Sequence, residues 1–310
     1  MSRTYPALTV ALLVSACSPA AAPESPRTEE VAASVAEPGP AASAASSAEA
    51  PKPAPSAAQP QDEKKTPVEL PFKGEDPGEG PKLSGERAWR YWPDYSGIGL
   101  SDLKEVKGST AIFYAFGSRE ETMTIPLAFT APAAPPKKLV KGDVVLVTVV
   151  TSAVCGLVRD IKDAKADVAF LWGGKPSSRE FPIDETLRVN GKVEFGAPVL
   201  TKTEEGWKMG VVVHTDKTTA WLAPYEFGQD EVKVPLSSLA PIDPSKKRKK
   251  GDKVIACDFD LMGCLETTII GSKDDGLSYE ISLPPDYVGP AGEGVKSTTV
   301  SVCAVGAAPK

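Results

Sequence analysis

The sequence predicts an all-β protein: copies of a small barrel or sandwich behind a long N-terminal segment without regular structure. Three observations predict it. The 310 residues include 30 Pro and 26 Gly, too many for a chain made mainly of long helices. The C-terminal two-thirds repeats itself at an offset of 109 residues. Inside each repeat, short β-branched and apolar runs alternate with polar turns, the mark of strands in a small barrel or sandwich.

The repeat needs no gap. Thr110-Ala111 falls on Thr219-Ala220, Pro126-Leu127 on Pro235-Leu236, and Ala131-Pro132 on Ala240-Pro241. Lys141-Gly142-Asp143 falls on Lys250-Gly251-Asp252, Val145 on Val254, and Cys155 on Cys264. A weaker period of about 54 lies within it: Gly142 matches Gly196, and Cys155-Gly156-Leu157-Val158 matches Met209-Gly210-Val211-Val212. Four units follow, at 86–133, 140–190, 194–243 and 249–306. The first departs most from its partners, through Trp89-Arg90-Tyr91-Trp92-Pro93.

Within the second unit, strands are predicted over 144–150, 157–161 and 168–172. The third carries them at 207–214 and 219–223, and the fourth at 254–259, 264–270 and 277–283. Lys273-Asp274-Asp275-Gly276 is a hairpin signal. Alternation puts Val254 and Ala256 on one face and Ile255 and Cys257 on the other.

The opening Lys-Gly-Asp-x-Val, the Gly210-x-Val212 of strand two, and the closing Val234-Pro235-Leu236-Ser237-Ser238-Leu239-Ala240-Pro241 resemble SH3-like, Tudor-like barrels. The resemblance implies tandem five-stranded barrels, and makes that last stretch strand four, a turn of 3₁₀-helix and strand five. An OB-like barrel is the alternative. One unit alone is marginally stable, so packing in pairs would help.

Residues 1–16 read as an export signal. Met1-Ser2-Arg3 is a short positive start, and the apolar stretch 7–14 would rise only about 12 Å as a helix, against roughly 30 Å of hydrocarbon. Val14-Ser15-Ala16-Cys17 resembles the lipobox of bacterial lipoproteins. The resemblance implies acylation of Cys17, cleavage before it and a membrane anchor held by several acyl chains. The location expected is the cell envelope, outside the cytoplasm, and the outer membrane of a Gram-negative bacterium. Residues 17–85 are rich in Ala, Pro, Ser and Glu, with no Trp and Phe72 as their one Phe. Such a segment cannot offset chain entropy by burial and reads as a disordered tether, with a coil span of about 45 Å.

Composition narrows the chemistry. The net charge of −6 argues against a nucleic-acid partner. His214 is the one histidine, so no multi-histidine metal site fits in one chain. Its place beside Thr215 and Asp216 suggests a surface turn. No P-loop, dinucleotide fingerprint or nucleophile elbow occurs, and no cofactor is expected. Beyond Cys17 the cysteines are Cys155, Cys257, Cys264 and Cys303. Export favours disulfides, and three pairings are open. Cys257–Cys264 closing a hairpin is preferred, and Cys257–Cys303 is the alternative. Cys155, matching Met209, reads as an apolar slot holding a buried thiol.

Aromatic residues often form the ligand surface of SH3-like domains. Phe170, Trp172, Trp207, Trp221, Tyr225 and Tyr279 are the candidates, with core packing as the competing role. Lys246-Lys247-Arg248-Lys249-Lys250 falls between units three and four. It reads as a solvated linker or as a contact with anionic lipid or glycan. The function expected is a non-enzymatic, lipid-anchored protein presenting tandem modules to a protein or envelope-glycan ligand. The alternatives are a structural or assembly lipoprotein, or an envelope hydrolase using paired carboxylates.

Overall fold

The computed structural model describes residues 77–92, 97–115, 117–224, 232–258, 261, 263–287 and 294–308. They lie in one compact unit. The export signal, Cys17 and the tether up to residue 76 fall outside the described residues.

The described residues form four five-stranded antiparallel barrels and no α-helix. The first contains β1 (Arg87–Trp92), β2 (Gly97–Lys107), β3 (Thr110–Tyr114), β4 (Thr122–Pro126) and β5 (Thr130–Pro132). The second contains β6 (Val144–Val149), β7 (Ser152–Lys162), β8 (Lys165–Trp172), β9 (Lys175–Pro182) and β10 (Leu187–Arg188). The third contains β11 (Pro198–Thr203), β12 (Gly206–Thr215), β13 (Thr219–Pro224), β14 (Val232–Pro235) and β15 (Leu239–Pro241). The fourth contains β16 (Lys253–Asp258), β17 (Gly263–Lys273), β18 (Ser278–Ser282), β19 (Ser297–Ser301) and β20 (Val305–Ala307).

All four share one strand order, 4-3-2-1-5. In each, the long second strand shifts register once: at 103–105, 158–160, 212–214 and 269–271. A bulge bends the strand, so it can pair with strand one on one side and strand three on the other. A 3₁₀ turn precedes strand five every time: Leu127–Phe129, Ile183–Glu185, Leu236–Ser238 and Val302–Ala304. Pro126, Pro182 and Pro235 lead into the first three. In the fourth, Ser301 replaces proline and its hydroxyl accepts from the Cys303 amide, 3.4 Å. This is the SH3-like plan implied by the sequence motifs.

The Lys-Gly-Asp motif has a local cause. Gly142 and Gly251 sit at φ 92° and 94°, a region that favours glycine. Their amides donate to Val158 and Ile269 of strand two, both at 2.8 Å. The following Asp143 and Asp252 carboxylates accept from the amides of Val140 (2.9 Å) and Lys249 (2.8 Å). The motif is therefore a capped turn that launches strand one. Gly210 lies inside β12 rather than at its start. A Cβ there would meet the Ala223 carbonyl oxygen at 3.1 Å, so the glycine lets strand three approach closely.

Strand one is buried on both faces. Val145 and Val147 of β6 pack into their own barrel with Phe170 and Phe181. Val144 and Leu146 point instead into a cluster drawing on all four barrels, with Trp89, Ile98, Val213, Trp221 and Val254. The fourth barrel divides likewise: Val254 and Ala256 face that cluster, and Ile255 and Cys257 face Leu200, Met209 and Ile242 of the third. Each such side chain contributes about 1.5–3 kcal/mol when fully buried.

The barrels pack in two similar pairs. β2 lies on β6 and β7, as β12 lies on β16 and β17. The Leu100 amide donates to Thr148 Oγ1 (2.8 Å) in one pair. The Trp207 indole donates to Glu266 Oε1 (3.0 Å) in the other. The 109-residue duplication is thus a duplication of a barrel pair. Residues 77–85, which the sequence reading placed in the disordered tether, run without regular secondary structure against the first barrel. Pro77 is buried, Leu83 packs on the shared cluster, and a Cβ on Gly80 would stand 2.2 Å from the Leu127 carbonyl carbon. Leu83 supplies an apolar anchor there.

Candidate binding site on the first barrel

The unit that departs most from the repeat carries a cavity of about 390 Å³. Trp92 of β1, Asp102 of β2, Tyr114 of β3 and Arg119 of the following connection line it, with Arg87 and Val150 beside them. The connection is shaped locally. Gly117 takes φ 73°, and the Ser118 hydroxyl accepts from the amides of Glu120 (3.1 Å) and Glu121 (3.0 Å). The Ala115 amide closes the loop on the Glu121 carbonyl, 2.9 Å.

This turn holds Arg119 over the pocket. Its guanidinium carbon is 5.1 Å from the Tyr114 ring centroid, and a guanidinium nitrogen is 3.4 Å from Asp102 Oδ2. The other oxygen of Asp102 is 3.3 Å from Arg87 Nε, and Arg87 also reaches Glu185 of the second barrel. Behind them, fully buried Arg90 stacks 3.2 Å over Trp92 and donates to Ser101 Oγ at 3.0 Å. An aromatic face beside a carboxylate is a receptor for a cation. Arg119, with its side chain 76% exposed, supplies that cation from the protein itself. An exposed ion pair and an exposed cation–π contact are each worth about 0.5–1 kcal/mol. An incoming cation can therefore displace it at low cost.

The aromatic residues singled out from sequence do not form one surface. Phe170, Trp221 and Tyr279 are buried, at 4%, 2% and 5% exposure, and of the three Tyr279 lines a cavity, the one between the second and fourth barrels. Phe170 packs edge-on to Phe181, at 6.1 Å. Trp207 is half-buried where the third barrel meets the fourth. Trp172 is exposed at the tip of the β8–β9 hairpin. Tyr225 lies outside the described residues. Trp92, Tyr114, Asp102 and Arg119 were not singled out; the poor match of 89–93 to the repeat was the signal that could have found them.

Two disulfides are present, Cys257–Cys264 and Cys155–Cys303. The first joins directly opposed residues of β16 and β17. The second corrects the reading of Cys155 as a buried free thiol: it is bonded to the fourth barrel. His214 is not a surface turn residue. It lies half-buried, 4.8 Å from the Trp221 ring and 6.1 Å from Phe129 of the first barrel. Burial, the largest influence, pushes its pKa below the ordinary 6.5, against the backbone carbonyls of Pro77 and Ala128 and the charge of Asp216. Among the described residues no group of three His, Cys, Asp or Glu could hold a metal ion, and no helix is long and apolar enough to cross a membrane.

No protein-family model and no curated protein matches the chain. Among solved structures, it is similar to the four MBT repeats of Drosophila melanogaster Sfmbt in complex with the peptide RHR(me)K VLR. The two are 8% identical over 72% of this chain and 87% of that one, with a TM-score of 0.16.

Proposed function

We propose that this is a non-enzymatic, lipid-anchored protein of the bacterial envelope whose first barrel binds a protein segment through a Lys or Arg side chain. The observation that carries the binding reading is Arg119, which rests on Tyr114 and Asp102 as such a side chain would. The lipid anchor rests on Val14-Ser15-Ala16-Cys17 and on the Pro- and Ala-rich stretch after it, which would hold the barrels off a membrane. The peptide's cation takes the place of Arg119, which swings into solvent.

Titration of the full chain with Lys- and Arg-containing envelope peptides tests the site. Asp102→Ala and Tyr114→Ala should each weaken binding about two- to fivefold, while Arg119→Ala should strengthen it severalfold by removing the competitor. Weaker binding of the Arg119 variant would reject the displacement. For the anchor, Cys17→Ser should abolish palmitate labelling and release the protein from the membrane fraction. Unchanged fractionation would refute it.

A further inference from the structure

A second cavity, of about 570 Å³, lies where the second barrel, the fourth barrel and the segment between the third and fourth meet. Val144 and Leu157 of the second barrel, Val302 of the fourth and Pro244 of the connecting segment give it apolar walls. Lys247 and Arg248 line it from the basic run, and Lys273 from β17.

The charges there are unevenly partnered. Lys246 is 3.3 Å from Asp243, and Lys273 is 3.4 Å from Glu280. Of the two acidic residues of the lining, only Asp275 meets a cation among the described residues. Asp274 accepts from the Ser278 hydroxyl at 2.6 Å, and Asp275 pairs with Arg159 at 3.3 Å. Among the described residues, the side chains of Lys247 and Arg248 meet no carboxylate. Yet the run is held in place: the Arg248 amide donates to the buried Tyr279 hydroxyl at 2.9 Å, and the Lys249 amide to Asp252 at 2.8 Å. Lys247 and Arg248 thus stand side by side, with no carboxylate partner among the described residues, over a recess whose walls are partly apolar. A solvated linker would not require that placement.

The geometry points to this junction as a binding site for a phosphate ester. Lys247 and Arg248 take the phosphate oxygens, and Val144, Leu157 and Val302 receive an apolar substituent. A phosphate has enough acceptor oxygens to satisfy an ammonium, a guanidinium and the neighbouring Ser272 hydroxyl together. A phospholipid headgroup and a soluble phosphate ester share this chemistry. The site is separate from the first-barrel pocket and does not depend on what that pocket binds.

The test uses the full chain carrying Cys17→Ser, so that no acyl group of its own competes. It is titrated calorimetrically with dihexanoyl-phosphatidylglycerol below its micelle concentration, and separately with glycerol 3-phosphate. At least one probe should bind saturably at one site. Lys247→Ala with Arg248→Ala should weaken it about tenfold or more. Lys249→Ala with Lys250→Ala removes the same charge from the same basic run and should change it less than about twofold. Tighter binding of the lipid supports the apolar walls and assigns a phospholipid source, and equal binding would overturn the role given to Val144, Leu157 and Val302. No binding of either probe, or equal weakening by both variant pairs, would overturn the site.

Discussion

Cys155 and Cys303 join the second barrel to the fourth across 148 positions of sequence, with Cα atoms 6.3 Å apart. Cys257 and Cys264 close a span of only 7. In the chain-entropy view the long bridge restrains the unfolded state more, by about 5 kcal/mol against about 2.5. Replacing Cys155 and Cys303 by Ser should therefore lower the denaturant midpoint further than replacing Cys257 and Cys264. Equal midpoints would show that the span of sequence closed does not set what the two bridges contribute.

His214 makes stability depend on pH. Its folded pKa lies below the ordinary 6.5, so the unfolded chain takes up the proton first as pH falls. The stability tied to the neutral ring is intact above 6.5, declines below it and is gone once pH passes the folded pKa. Unfolding free energies measured from about pH 7.5 to 5.5 should fall for the wild type, and fall less for His214→Asn. Parallel slopes would place the pH dependence elsewhere.

Trp221 and Trp172 should behave oppositely. Trp221→Ala opens a hole in the shared cluster and should cost about 3–5 kcal/mol in urea melts. Trp172→Ala, on an exposed hairpin tip, should change stability by less than about 0.5 kcal/mol. A mild Trp221 effect would mean the cluster relaxes around the loss.

Gly80→Ala would force a methyl group into the backbone of the 3₁₀ turn at Leu127, 2.2 Å away. The expected cost is about 1–3 kcal/mol. Amide hydrogen exchange over 77–84 should speed up as the segment lifts, while exchange in β6 and β16 stays slow.

Much of the fold was legible because strands of this size write a period of two. The stretch 234–241 folds as strand, 3₁₀ turn and strand, and Val254 to Cys257 divide between two faces as alternation requires. The barrel-to-barrel core was not legible. In 144–149 both faces are apolar, and such a run does not say which face meets its own barrel and which a neighbour. Nor does sequence place Cys155 beside Cys303, since their approach depends on how two pairs of barrels dock. The aromatic residues chosen as ligand contacts lie in units two to four, and Phe170 and Tyr279, which match at the 109-residue offset, are both taken up by packing. The first-barrel pocket sits where the first unit breaks from the pattern, at Trp92 and Tyr114, and draws its acid, Asp102, from another strand.

The segment from Pro77 to Leu83 is fastened at several points: Pro77 is buried, Gly80 lies against the Leu127 backbone of the first barrel, and Leu83 packs on the shared cluster. Mechanical load passing along the chain from Pro77 meets this seam before it meets β1. The seam would peel one contact at a time, like a fuse that yields while the four barrels remain whole.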